Sequence, residues 1–476
     1  MKKSPIVIPL VPSVEFDAAL INKLSQTGPR YTSYPTADRF TDSFGPNDYI
    51  EAVERVRARG PAQPLSLYVH IPFCESLCYY CGCNKIITQD HDKAVVYLDY
   101  LKREIAMQGQ LLAGMNQVEQ LHFGGGTPTY LSDDQMDGLL AYMREWFDFV
   151  PDEQGEYSVE VDPRTVSPAR IRTLRKQGFN RISLGVQDFD AEVQRAVNRI
   201  QPEEQTVEVI EAARAAGFRS ISIDLIYGLP KQSALTMEQT LAKVVAANPD
   251  RIAIYNYAHM PHLFKSQRLI VTEDLPTPDV KLEMLRLCIE RLSAAGYVYI
   301  GMDHFAKPDD DLAVSQQEGK LHRNFQGYST HAEADMVALG VSGISAFGGT
   351  YSQNDKSLTG YYERLDEGHL PVRRGIALGD DDLLRRTVIG RLMCDFELAY
   401  ADVQIAGGAD FATYFAEELT ALQKLAADGL LTISGQGLKV SLKGRLLIRN
   451  VCMVFDSYLA AARQALPSPR RYSSTI

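Results

Sequence analysis

Leu65–Lys85 reads LSLYVHIPFCESLCYYCGCNK, and the rest of the chain can be ordered around it. Its first seven residues, Leu65–Ile71, form a β-branched and aromatic run of strand length and are predicted to be a strand. Directly after it, Cys74, Cys78, Cys81 and Cys83 follow a CxxxCxxCxC spacing. Three thiolates in one short loop can meet a compact iron–sulfur cube on one side, and soft sulfur suits such a cluster. Three protein ligands for four irons leave one iron open to another molecule. Cys83, with only Gly82 between it and Cys81, is poorly placed to join the same cube. Structural zinc is the competing reading, but it usually draws its thiolates from two separated knuckles.

Working outward, five more strands are predicted: Gln120–Gly125, Glu156–Asp162, Arg181–Gln187, Ser220–Tyr227 and Arg251–Ala258. Each gap holds an amphipathic helical stretch, such as Pro168–Gln177 or Glu203–Ala216, followed by a glycine suited to a helix C-terminus. Strand–helix–strand at this spacing implies parallel pairing, and the fold class is α/β: a barrel or open sheet of parallel strands. The chemistry-bearing residues fall at strand C-terminal ends, where the βα loops of such barrels converge. No segment repeats another.

The chain has 476 residues, enough for a large core without disulfides. Its net charge of −11 argues against generic nucleic-acid or anionic-membrane binding. Cys288, Cys394 and Cys452 stand singly in apolar contexts and are predicted to be small buried hydrophobes. Such a distribution is not that of a secreted disulfide framework. The start, MKKSPIVIPLVPSVEF, has prolines that interrupt its apolar run, so it is not read as a signal peptide. The uncharged stretch Met336–Asn354 is too rich in Gly, Ser and Asn to span a bilayer. The expectation is a cytoplasmic protein in a reducing compartment. Three segments are expected: an arm over 1–60, a barrel domain with its extension over 61–375, and a mostly helical domain over 376–476. The last would carry a small β wing (GLLTISGQGLKVSLKG) and a final helix, Arg445–Gln464, before a mobile tail.

Gly124-Gly125-Gly126-Thr127 ends the second strand, where glycine lets backbone approach a ligand. Glu160, flanked by valines, would be costly unless paired or bound to a ligand such as a ribose diol. An internal salt bridge is the alternative. Gln187 ends the fourth strand, Asp224 the fifth, and Ala258 closes the sixth, with Arg199 in the segment after the fourth. Singly each could be an ordinary polar cap; together they describe a lined barrel mouth.

CxxxCxxC directly after a barrel strand resembles the radical S-adenosylmethionine (SAM) enzymes, in which Tyr80 would be the aromatic residue next to the third cysteine. The resemblance implies a radical-SAM partial TIM-type barrel with an N-terminal arm and a mostly helical C-terminal domain. YVHIPFCESLCYYCGCNK, LHFGGGTPTYL, EVDPR, RISLGVQDF, VNRIQ, DLIYGLP, YNYAH, RNFQGYST and GVSGIS together resemble the oxygen-independent coproporphyrinogen III oxidases, from Gly28 through at least Ile344. That resemblance implies one [4Fe-4S] cluster on Cys74, Cys78 and Cys81, and two SAM molecules per chain. Tyr68, Gly125, Glu160 and Ile344 match the residues at the cluster-bound SAM. Tyr80, Gly126, Thr127, Gln187, Arg199, Asp224 and Ala258 match those at the second. Tyr68 and Glu160 are marked as catalytic. The implied reaction is oxidative decarboxylation of two propionates of coproporphyrinogen III to vinyl groups, giving protoporphyrinogen IX in anaerobic haem biosynthesis. A small electron-donor protein such as a flavodoxin or ferredoxin is the implied partner, and a monomer is expected. Departures from the pattern are Glu75-Ser76 and His331-Ala332-Glu333.

Arg30, Lys85 and Arg323 are candidate cations for the substrate propionates. The arm segment GPRYTSYPTA (28–37) carries one cation and two tyrosines between prolines, and is expected to dock over the substrate opening. An arm that merely covers apolar surface is the alternative. A haem-binding chaperone on the same scaffold is the rival function; such relatives tend to lack this arm and carry an aromatic residue where Cys83 stands.

Overall fold

The computed structural model describes residues 13–60, 63–332, 334–405, 408 and 410–464. The start Met1–Pro12, Glu333 and the expected mobile tail lie outside the described residues. Six parallel strands make the centre: β1 Leu65–Ile71, β2 Gln117–Gly125, β3 Glu156–Val161, β4 Arg181–Gln187, β5 Ser220–Tyr227 and β6 Arg251–Asn256. They lie side by side in sequence order, as right-handed strand–helix–strand units require. Beyond β6 the sheet ends in the antiparallel pair His304–Ala306 and Val298–Gly301.

On the other side, Asp335–Leu339 joins β1 in parallel, with Leu65 opposite Asp335. Ile344–Phe347, Thr350–Asn354 and Val372–Ala377 then continue the sheet antiparallel. The stretch Met336–Asn354, noted above only for its lack of charge, thus supplies sheet strands. Its glycines and Ser342, with φ of 62°, make the tight turns between them. The two outer strands of this order do not pair with each other, so the barrel is partial.

The connecting helices bury one apolar stripe each. Pro168–Lys176 buries Ile171 and Leu174; Glu203–Ala216 buries Val209, Ile210 and Ala213 and stops at Gly217, whose φ of 82° is left-handed. A further helix begins at Asp380, and the β wing is present as Leu431–Ile433 and Gly437–Val440, with Glu397–Ala399 added. The final helix is not continuous. It breaks into Ile448–Cys452, a 3-10 turn and Ser457–Gln464, because Asp456 is extended and its carboxylate accepts the Leu459 N–H at 2.9 Å. The isolated cysteines 288, 394 and 452 are buried. One hydrophobic cluster runs from Val14 through the barrel to Phe455.

The arm differs from its expectation. Tyr31 and Tyr34 are 4% and 2% exposed and belong to that core. The Tyr31 hydroxyl donates to Asp456 at 2.9 Å, Tyr34 shares a 2.9 Å hydrogen bond with Ser457, and Arg449 donates to the Pro29 carbonyl at 2.8 Å. Arg30 is ion-paired with Asp303. The arm is integral packing first, though Tyr31–Tyr34 also line a cavity described below.

Candidate functional site

The cysteine loop leaves β1 and is pinned from two sides. The Tyr79 N–H donates to the Val197 carbonyl at 3.0 Å, and Asn198 donates to the Leu77 carbonyl at 2.7 Å. Gln267 and Ser266 donate to the carbonyls of Tyr80 and Cys81 at 3.0 and 2.9 Å. Lys85 donates to the Cys81 carbonyl at 3.0 Å. Held so, Cys74, Cys78, Cys81 and Cys83 all line one cavity of about 270 Å³. Tyr80, Gly125, Gly126, Thr127, Glu160, Gln187, Arg199 and Asp224 line it too. A second cavity of about 310 Å³ is lined by Tyr68, His70, His122, Ile344 and Phe325, and shares Cys83, Gly125 and Glu160 with the first. Of the residues expected at the mouth, only Ala258 lines neither.

Two positions need correction. Asp224 lies three residues before the end of β5, and Ala258 stands two residues beyond β6. Gln187 does end β4, with a left-handed φ of 69° beside a register shift, the kind of backbone distortion that collects at functional sites.

Parallel register builds the wall between the cavities. Tyr68 lies opposite His122, and His122 opposite Ser158. Their rings stack, with centroids 5.8 Å apart. His122 donates through Nε2 to Glu160 Oε1 at 3.1 Å, and the Gly125 N–H reaches Glu160 Oε2 at 3.3 Å. The salt-bridge alternative for Glu160 therefore takes the form of a histidine contact. Burial works against the charge of Glu160, but the His122 and Gly125 hydrogen bonds hold it below the usual glutamate range. Burial lowers the pKa of His70. Its Nε2 is 3.0 Å from the Asn84 carbonyl and must donate there, so Nδ1 accepts the Tyr68 hydroxyl at 3.1 Å. A Cβ on Gly125, whose φ is +115°, would meet the His70 ring at 2.6 Å, so only glycine fits.

Asp224 stands in the opposite condition. Burial, then repulsion from Glu160, pushes it up to about 7, although Ser183 donates to it at 3.1 Å. For a carboxyl raised in this way, the cost appears as pH climbs through the unfolded value near 3.8 toward 7 and persists above. Asp224→Asn should therefore melt higher than the parent at pH 8.5, by on the order of 2 kcal/mol, and the gap should vanish at pH 4. Thermal melts of the two proteins before cluster loading check this; equal melting points at pH 8.5 would refute it.

The cluster can be tested against the residues present. Thr127 donates to Cys74 Sγ at 3.4 Å, and Arg199 and Arg164 donate to Cys78 Sγ at 3.5 and 3.6 Å. Asp162 holds both arginines, at 3.1 and 2.7 Å. Hydroxyl and guanidinium donors aimed at sulfur suit thiolates, which would carry the negative charge of a bound cluster. Among the described residues, no three His, Cys or carboxylate groups converge as a site for one metal ion. The thiols instead line one cavity, an arrangement that suits a cluster. Burial pushes Cys74 up to about 11, whereas hydrogen bonding from Cys83 and the Lys85 charge draw Cys81 down. Loading must therefore displace a proton from Cys74 more than from Cys81.

His70, His122, Asp162 and Arg164 were not singled out from sequence. Asp162 and Arg164 sit inside the quoted EVDPR, and His122 inside LHFGGG; His122 meets Tyr68 and Glu160 only through inter-strand register, which no pattern within its own strand reports.

The comparisons with known proteins agree with this geometry. Residues 68–244 match the Radical SAM superfamily, and 378–447 match the HemN C-terminal domain. The chain is 50% identical over 467 residues to the oxygen-independent coproporphyrinogen III oxidase of Pseudomonas aeruginosa, covering 98% of this chain and 100% of that one. With the Escherichia coli protein of the same name it shares 52% identity over 449 residues, 94% of this chain and 97% of that one. The solved structure described as "Coproporphyrinogen III oxidase (HemN) from Escherichia coli is a Radical SAM enzyme" superposes with a TM-score of 0.89 at 50% identity, covering 94% of this chain and 100% of that one. With whole-length identity at this level and the thiol-lined mouth in place, the chain belongs to the oxygen-independent coproporphyrinogen III oxidase family of radical SAM enzymes.

Proposed function

We propose that this protein converts coproporphyrinogen III to protoporphyrinogen IX by oxidative decarboxylation of two propionates in anaerobic haem biosynthesis. The observation that carries the reading is the joining of three loop thiols to Gly125 and Glu160 around one cavity at the C-terminal ends of the barrel strands. Membership of the radical SAM superfamily implies a [4Fe-4S] cluster and SAM. When bound, these supply a reducing electron and a hydrogen-abstracting 5′-deoxyadenosyl radical. Each propionate gives up a hydrogen atom, carbon dioxide and one further electron as its side chain becomes vinyl.

Cys74, Cys78 and Cys81 would hold the cluster, with Arg199 and Arg164 offsetting its charge at Cys78. Glu160, kept ionised by His122 and the Gly125 N–H, can accept hydrogens from SAM. The Tyr68 hydroxyl, held by His70, fixes the aromatic floor of the second cavity, and Phe325, Met336 and Ile344 help keep that cavity dry. Two SAM molecules per chain is the count we infer. The residues matched to each set divide between the two cavities, apart from Ala258, while Gly125 and Glu160 face both. A monomer in the cytoplasm, reduced by a flavodoxin- or ferredoxin-like donor and independent of nucleic acid and membrane, completes the proposal. No described helix is long and apolar enough to cross a membrane. The division at about 60 and 375 is proposed as a division of labour, since the core itself is continuous across it.

Anaerobic incubation of the iron-loaded protein with SAM, a reductant and coproporphyrinogen III tests the function; vinyl-bearing product supports it, and unchanged substrate refutes it. Glu160→Ala should keep its iron and weaken SAM binding by about 2–3 kcal/mol, roughly 30- to 150-fold. Calorimetric titration of SAM reads this, and parent-like affinity would remove Glu160 from the SAM site.

A further inference from the structure

A third cavity, about 390 Å³, opens behind Phe325, whose ring also lines the Glu160–His122 cavity. Its walls come from the arm at Tyr31–Tyr34, from the His322–Asn324 strand and from the helix carrying Arg386 and Arg391. Not all of its cations are free. Arg391 is neutralised by Asp395 at 2.9 Å and Lys320 by Glu318 at 2.8 Å. Arg323 and Arg386 differ: among the described residues, no carboxylate lies within ion-pair distance of either.

Arg323 is the sharper case. It is 8% exposed, yet its Nε and Nη1 have no hydrogen-bond partner among the described residues. The Tyr328 ring lies over it, 4.6 Å from the guanidinium carbon. A buried guanidinium with open donors is expensive unless something binds there. Arg386 stands near enough to His322 and Asp335 to influence both. Asp335 is the acidic group in the wall; its carboxylate accepts the Gly348 N–H at 3.2 Å and lies beyond ion-pair distance of Arg386.

The other candidate cations are already engaged. Arg30 pairs with Asp303, and Lys85 donates to the Cys81 carbonyl. What remains is a fork-shaped donor and a second guanidinium, separated from the reaction chamber by one aromatic ring. A planar carboxylate matches an open guanidinium fork, and one pyrrole ring of the puckered, methylene-bridged macrocycle matches the Phe325 face.

We propose that Arg323, assisted by Arg386, binds a carboxylate of the tetrapyrrole that is not reacting, anchoring the macrocycle across Phe325 while another propionate faces the Glu160 cavity. The assignment rests on the substrate reading above. It makes the cavity behind Phe325 a register device: each rotation of the macrocycle presents a new propionate while a different one refills the anchor.

The test uses iron-loaded protein and three variants, Arg323→Gln, Arg386→Gln and Arg323→Lys. Arg323→Gln should raise KM for coproporphyrinogen III about tenfold or more, with kcat within about threefold and iron content unchanged. Equilibrium binding of fluorescent coproporphyrin III should weaken by a similar factor. Arg323→Lys should recover part of the loss, since it restores charge without the fork. If Arg323→Gln does not fold, Arg386→Gln decides through the same two readings. Parent-like KM and porphyrin affinity in the folded variants overturn the anchor while leaving the function standing. Failure of the unsubstituted protein to form vinyl product overturns the function itself.

Discussion

Serine at Cys74, Cys78 or Cys81 is expected to leave a protein without its brown colour, with iron and sulfide near background and no vinyl product. Each of the three thiols lines the same cavity, and the hydroxyl that replaces it is a poor ligand for iron–sulfur cores. The loop itself should survive, because its shortest pins run through the carbonyls of Leu77, Tyr80 and Cys81, while the longer contacts to Cys74 and Cys78 sulfur can pass to the serine hydroxyl. Far-ultraviolet circular dichroism should therefore match the parent. Cys83→Ser is the internal control. Cys83 lines both cavities but follows Cys81 after a single glycine, and it should keep its iron. Iron and sulfide analysis of all four variants decides the ligand set. Full loss of iron from Cys83→Ser would put the fourth cysteine in the cluster.

Removing residues 1–40 should cost the fold, not merely turnover. The deletion takes out Tyr31, Tyr34 and Phe40, all buried, together with Ile21 and Val14. Truncation of one large buried aromatic typically costs about 3–5 kcal/mol, and a whole domain is stable by about 5–15 kcal/mol. The carboxylate of Asp456 and the guanidinium of Arg449 would also lose their arm partners. The expected result is insoluble protein, read as the soluble fraction after expression. A soluble truncated protein that binds iron and has lost only decarboxylation would restore the arm as a substrate strap.

The parts legible in the sequence share a physical reason. β1, β4 and β5 fall at their predicted bounds because each places apolar residues at alternate positions, as Ile182, Leu184 and Val186 do in β4. The mouth was legible because strand ends converge in a parallel barrel, so residues far apart in sequence could be placed together by topology alone. The strands from Asp335 to Ala377 were not legible. They are short, interrupted by glycine turns, and take their place only through pairing with β1 at the far side of the sheet. The break at Asp456 was hidden for a similar reason. Its carboxylate accepts from Tyr31, 425 residues earlier, and no local pattern reports that contact. His122 and His70 were missed because a lone histidine on an apolar strand reads as core until the register shows its neighbours.

The stitching of Gly28–Tyr34 to the last helices has a consequence for how the protein is made. The hydroxyls of Tyr31 and Tyr34 and the Pro29 carbonyl meet partners at residues 449–457, well after Tyr351 has become available to donate to the Tyr34 carbonyl at 3.2 Å. At about 5–20 residues per second, a ribosome needs roughly 20–85 s to deliver those partners after the arm has emerged. Throughout that interval the two tyrosine hydroxyls lack their native partners, so a segment synthesised early is among the last to settle. Nascent chains halted before residue 449 should consequently expose the arm to protease, and chains released after residue 464 should protect it.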